Sequence, residues 1–320
     1  MKRSCRYKRR TTGFLIVALI VFFQLGRSFV LPVEHKLRHD FHQAVQRWFP
    51  DAVQDLSNRQ GISHVEGTFA PADHPARNPV ILVHGLDDPG IIWDDLIPIL
   101  QKNQFPVLVL SYPNDQAIEA SSAFFFEQMQ MLAQKNPVTV SIVTHSMGGL
   151  VARDMLTRPD LDYLRAAAEK KVPAVDRLIL VGPPNRGTQM ARFRILTEAK
   201  DQIYHLFFTQ AHWLHCLLDG TGAAGVDLIP GSCFLIRLNQ RALPREVKIR
   251  IIAGMIFPGP EDAHLKNILG DGLVSVNTAR LQQVPLIRVA GNHFTMIRNL
   301  TRTSQRIPPA IPVVLNMLCQ

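Results

Sequence analysis

Six short apolar runs recur between Val80 and Ala290, and most of the segments between them repeat apolar positions every three or four residues. The runs at residues 80–83, 107–111, 138–143, 178–181, 247–253 and 286–290 are rich in Val, Ile and Leu. Runs of this length that lack strict alternation predict strands covered on both faces. "IIWDDLIPILQKN" and "AIEASSAFFFEQMQMLAQKN" have helical spacing. The alternation predicts an α/β chain, with a mostly parallel sheet flanked by helices.

One interval breaks the alternation. From about residue 189 to 244 the chain carries "IYHLFFTQAHWLHCLL", in which Ile203, Phe207, Ala211, Leu214 and Leu218 share a helical face widened by Tyr204, Phe208 and Trp213. It predicts an apolar helical cap or lid insertion, and an apolar element above a sheet's carboxyl edge would border a site there. Within the same interval "GTGAAG", Gly220 to Gly225, matches a dinucleotide-binding pattern literally. A helical pattern precedes it and Pro230 follows, so the strand–turn–helix context is missing and the segment reads as a loop.

The N-terminal part has a different texture. Residues 13–33 are apolar apart from Gln24, Arg27 and Ser28, and as a helix they reach about 31 Å, enough to cross a bilayer if Arg27 snorkels to the interface. The segment reads as an uncleaved signal anchor with the catalytic domain outside the cytoplasm; export with cleavage after "GRS" is the alternative. Leu37, Phe41, Val45 and Trp48 then mark an amphipathic helix, and residues 58–78 read as a linker. The expected organisation is 1–33 basic tail and anchor, 34–78 amphipathic helix and linker, and 79–320 one catalytic domain.

Charge changes this picture little. The net charge is +9, but Lys2, Arg3, Arg6, Lys8, Arg9 and Arg10 supply six of it. Positive charge beside an apolar run orients a membrane segment, and no nucleic-acid partner is implied. His35, His39 and His42 read as solvated helix residues, the four cysteines form no C-x-x-C pair, and no metal or cofactor is implied. Cys216 and Cys233 could staple the insertion in an oxidising compartment, or remain thiols.

The chemistry concentrates at "VTHSMGG". "VTVSIV" runs into "THSMGG" and then "LVARDML", so strand, tight turn and helix come in the order that exposes a nucleophile, Ser146. Gly148 leaves room where strand and helix meet. Thr144 departs from the general G-x-S-x-G pattern. Upstream, "VILVHGLDD" ends a strand so that the Leu86 amide can point where the Met147 amide does, which would make an oxyanion hole. Downstream, Asp271 in "GDGLVSV" and His293 in "GNHF" each follow a predicted strand. A carboxylate fixes the imidazole tautomer, and the imidazole takes the serine proton. Asp262 is the rival acid and His264 or His145 the rival base; His145, adjacent to the nucleophile on a tight turn, should point elsewhere.

Together "VHGL", "THSMGGLVAR", "GPPNRGT", "DLIPGSCFLIRLN", "GDGLVSV" and "GNHF" make the chain from about Pro79 onward resemble the α/β-hydrolase superfamily, and within it the lipase-like serine esterases. The resemblance implies an α/β-hydrolase fold with Ser146 as nucleophile, His293 as base, Asp271 as acid, and Leu86 with Met147 as oxyanion amides. It implies cleavage of carboxylic esters through an acyl-enzyme, and the apolar insertion favours lipid-like acyl esters. An acyltransferase or thioesterase would use the same triad, and a non-catalytic binding protein would need none of it.

Overall fold

The computed structural model describes residues 60–65, 77–86, 88, 90–114, 116–134, 139–188, 223–257, 269–301 and 303–320, all in the compact unit Leu56–Gln320. The basic tail and apolar run 1–33, the helix marked by Leu37 and Trp48, the apolar helix 203–218, Asp262, His264 and Cys216 lie outside the described residues. Among the described residues no helix is long and apolar enough to cross a membrane.

Among the described residues seven strands form one sheet: β1 (Gly61–His64), β2 (Val80–Val83), β3 (Val107–Ser111), β4 (Thr139–His145), β5 (Ala174–Val181), β6 (Lys248–Met255) and β7 (Leu286–Ala290). Their spatial order is β1-β3-β2-β4-β5-β6-β7. β1 is antiparallel to β3, and every other pairing is parallel. Among the described residues the α-helices are α1 (Leu96–Lys102), α2 (Ile118–Ala133), α3 (Gly148–Thr157), α4 (Tyr163–Ala168), α5 (Ala223–Asp227), α6 (Cys233–Gln240), α7 (Val276–Ala279) and α8 (Ala310–Cys319).

The central strands are apolar at successive positions because each face has its own core. Ile81, Val83, Ile142, Leu178, Leu180 and Ile251 point into the layer formed with α2, α3 and α6. Their neighbours Val80, Leu82, Val143, Ile179, Val181 and Ile252 point the other way, against Trp93, α1 and α8. Full burial of each such side chain is worth about 1.5–3 kcal/mol, so the sheet interior dominates the stabilising terms.

Three expectations from the sequence require correction. The linker read at 58–78 contains β1, an edge strand whose pattern is obscured because only Gly61 is buried and His64 is exposed. The loop read at Gly220 to Gly225 gives way to α5 from Ala223, where two alanines favour a helical turn and Ala224 is fully buried. The interval assigned to a cap up to 244 is narrower: Phe234, Leu235 and Leu238 of α6 belong to the same core as α2 and α3, so α6 is wall rather than cap. Cys233, at the start of α6, carries an exposed free thiol.

Asp227 joins this wall to the body. The Ile118 N–H at the start of α2 donates to its Oδ2 at 2.9 Å, supplying one of the orphan amides of that helix with an acceptor. Burial pushes the Asp227 carboxyl up to about 6, with the Ile118 N–H opposing and the Glu119 charge adding to the rise. Folded Asp227 therefore keeps its proton where the unfolded chain, near 3.8, has lost it. The stability it contributes is present at low pH and lost as pH rises through about 6. Discounted for partial exposure, the effect is about 1 kcal/mol. In urea unfolding, Asp227→Asn should gain about 1 kcal/mol on the wild type between pH 4 and pH 7; a difference independent of pH would remove this assignment.

Candidate active site

β4 ends at His145 and α3 begins at Gly148, leaving two residues to turn the chain. Ser146 takes a left-handed conformation, φ 53, which is unfavourable for a residue with a side chain and is held here by its surroundings. Its N–H donates to Val181 O at 2.9 Å, and its carbonyl accepts from Gly149 N–H at 3.0 Å. A Cβ on Gly148 would lie 2.5 Å from Val83 O and 2.4 Å from His84 O, so α3 seats directly on the end of β2. Thr144 is accommodated beneath the turn: its hydroxyl donates to Ile179 O at 3.3 Å and lies 3.2 Å from where a Gly149 Cβ would be. The helix's second glycine provides the space that a glycine at 144 would otherwise supply.

The segment after β2 comes up against the same serine. A Cβ on Gly85 would stand 2.9 Å from Ser146 Cβ and 3.5 Å from its Oγ. Leu86 follows Gly85, and neither its N–H nor that of Met147 makes a hydrogen bond among the described residues. Met147 stands at the N-terminus of α3, where amides are unpaired within the helix and the dipole favours negative charge.

Two residues that the sequence reading did not single out hold this loop. Asn114 Nδ2 donates to Gly85 O at 3.1 Å and to Asp88 O at 3.3 Å. Tyr112 donates its hydroxyl to His84 O at 2.7 Å and stacks on the His84 ring at 4.6 Å. Burial pushes the Tyr112 phenol up and the His84 imidazole down, so both stay neutral at ordinary pH. The only signal in the sequence was a Tyr and an Asn just past the carboxyl end of a strand.

On the other side, His293 Nδ1 and Asp271 Oδ2 are 2.8 Å apart, both residues nearly inaccessible. Asp271 Oδ1 accepts the N–H groups of Leu273 at 2.9 Å and Val274 at 2.7 Å. An ionised carboxylate only accepts, so His293 Nδ1 carries the proton and Nε2 presents a lone pair. The His293 N–H also donates to Asp271 O at 3.0 Å. Gly270, at φ 53, makes the tight turn that brings these groups together. His293 rests against Gly182, whose Cβ would lie 3.2 Å from its Cε1, and Gly182 follows the Val181 carbonyl that binds Ser146. The His293 ring and the Ser146 backbone thus both abut the end of β5, at Gly182 and Val181. The Ser146 hydroxyl itself makes no hydrogen bond among the described residues, and the side chain is half-buried.

Of the rivals, His145 is described. Its Nε2 is 2.9 Å from His293 O, so that nitrogen is engaged with a main-chain carbonyl, and the ring is buried. Among the described residues no cluster of His, Cys, Asp and Glu is arranged to hold a metal.

A sequence-family model described as a domain of unknown function (DUF7379) matches residues 125–229. Among curated proteins no sequence match is found. Solved structures are similar over most of the chain. The mature Bacillus licheniformis lipase BlEst2 is 22% identical with a TM-score of 0.53, over 78% of this chain and 96% of that one. The metagenomic carboxyl esterase MGS0156 is 18% identical with a TM-score of 0.52, over 81% and 83%. Staphylococcus hyicus lipase is 11% identical with a TM-score of 0.53, over 78% and 96%. The shared architecture is the α/β-hydrolase fold.

The contact at Gly148 gives a direct test of the turn. Gly148→Ala should lower unfolding stability by about 3 kcal/mol, because the added methyl meets two backbone carbonyls that cannot give way independently. An unchanged denaturation midpoint would show that the β2–α3 contact is looser than described.

Proposed function

We propose that the protein is a serine hydrolase of carboxylic esters, with Ser146 as nucleophile, His293 as base, Asp271 as acid and the Leu86 and Met147 amides as the oxyanion hole. The observation that carries this reading is the bonded His293–Asp271 pair beside a left-handed serine at a strand-to-helix turn. The lipase and esterase names of the similar structures support it.

In the proposed reaction, Ser146 Oγ attacks the acyl carbonyl as His293 Nε2 takes its proton. Negative charge collects on the carbonyl oxygen, where the two unpaired amides receive it; a fixed donor of this kind is worth about 10²–10³ in turnover. Asp271 stabilises the imidazolium, which then gives its proton to the leaving alcohol. Water, deprotonated by the same imidazole, releases the acid from the acyl-serine.

The acyl part of the substrate is proposed to be lipid-like. Ile256, Phe257, Leu269 and Phe294 are exposed large apolar residues flanking the Asp271 and His293 loops, and the Phe294 ring lies 5.6 Å from that of His293. A rim of this composition suits an acyl chain better than a charged substrate. The apolar segment 13–33 would tether the domain to a membrane, with the catalytic part outside the cytoplasm.

A fluorophosphonate should label the wild type at Ser146, and Ser146→Ala should abolish both labelling and hydrolysis of p-nitrophenyl acyl esters. Asp271→Asn should lower turnover by about 10⁴ with the fold intact, since the imidazole would lose its tautomer. A well-folded wild type that is neither labelled nor active on acyl esters would refute the reading.

A further inference from the structure

His145 is buried and polar, and the proposed reaction gives it no role. It ends β4, where it pairs with Val181, and Ser146 follows it directly. Its ring sits 4.7 Å from the His293 ring, with Trp93 edge-on at 6.4 Å and Phe294 at 6.3 Å. Its Nε2 lies 2.9 Å from the main-chain oxygen of His293, 148 positions further along the chain. A carbonyl can only accept, so Nε2 carries the proton. Its Nδ1, also buried, has no hydrogen-bond partner among the described residues and needs no proton.

We propose that His145 is a positioning residue: by donating from Nε2 to the His293 carbonyl it fixes the proposed base relative to Ser146. This rests on the hydrolase reading above. The residue before the nucleophile and the residue carrying the imidazole then share one hydrogen bond, so the spacing of nucleophile and base does not depend on the loops between them. His293 is held at three points: Nδ1 and N–H by Asp271, and the carbonyl by His145. The first sets the tautomer, and the other two fix the peptide groups on either side of the Cα from which the ring projects.

The choice of imidazole has a physical reason. The donor must cross from the strand to the His293 loop through a packed apolar neighbourhood, which needs a rigid, flat side chain with a polar tip. It must also stay uncharged, because a second cation would oppose the imidazolium formed on His293 during turnover. Burial, with the adjacent His293 adding to the effect, pushes His145 down to about 3, so it does not compete for the proton.

The experiment compares His145→Phe and His145→Leu, which cannot donate, with His145→Gln, whose amide can. The apolar variants should lower kcat for a p-nitrophenyl acyl ester about 10- to 100-fold and leave KM within about threefold, the signature of a misplaced base. They should also shift and broaden the downfield Nδ1–H proton resonance of His293. His145→Gln should restore both to near the wild type. The proposal is overturned by an apolar variant with wild-type kcat and resonance, or by His145→Gln that is as impaired as the apolar variants or folds no better. If the wild type is neither labelled by a fluorophosphonate nor active, the hydrolase reading fails, and the His293 resonance still decides whether His145 holds that peptide.

Discussion

A helix can start on the end of a neighbouring strand only where no side chain keeps the two backbones apart, and in this protein Gly148 meets that condition. Its Cα faces the carbonyls of Val83 and His84 at a distance no Cβ would tolerate. The contact places the first turn of α3 over β2 and forces the residues between β4 and α3 into a tight bend. Ser146 is left in a conformation that other residues of the strand avoid. The cost of the positive φ, on the order of 1–3 kcal/mol, is offset by the packing of both elements into the two-sided core. Gly85 then brings the neighbouring loop against the same serine, so Ser146 and the Leu86 and Met147 amides of the proposed site are placed by these two close approaches.

A buried network beneath α3 ties that helix to the other half of the site. Arg153, 2% exposed, donates to Asn185 Oδ1 at 2.8 Å and Asn239 Oδ1 at 3.1 Å. Asn239 donates to Asn185 O at 2.8 Å, and Asn185 donates to Ala279 O at 2.6 Å. Four segments meet here: α3, the loop after β5, α6, and α7 just past the Asp271 turn. Burial lowers the Arg153 guanidinium to about 10, which still leaves it charged at neutral pH, and the two amide oxygens compensate part of the desolvation. The asparagine of "GPPNRGT" thereby serves as a junction between elements. Asp154, also buried, is met by Ser122, Arg158 and Arg241, which binds α3 to α2 and to the segment leading into β6.

The acid–imidazole pair follows the same logic. Asp271 would be costly to bury alone, yet its two oxygens accept three donors, and two of those are backbone amides of its own turn. The His293 ring it orients lies against Gly182, and the main-chain carbonyl of His293 is within hydrogen-bond reach of His145 Nε2. Satisfied polar groups in a low-dielectric setting hold their geometry without help from solvent. Such preorganisation is what the proposed transfer of a proton from Ser146 to His293 requires.

Much of this was legible along the chain. The strands read at 80–83, 107–111 and 286–290 coincide with β2, β3 and β7; in β2 and β3 burial on both faces leaves a continuous apolar run that survives any register, whereas β7 is an edge strand in which only Val289 is buried. The strand, turn and helix around Ser146, and the turn-forming glycines beside Asp271, are local patterns that sequence alone determines. β1 was not legible, since an edge strand with mostly polar positions draws its pairing from β3 rather than from its own periodicity. Nor were the placements of Asn114, Tyr112, Asn185 and His145, whose partners lie 26 to 148 positions away. Tertiary structure decided those, because a polar side chain declares only what it can bond to, and the folded sheet brings a particular carbonyl or amide within its reach.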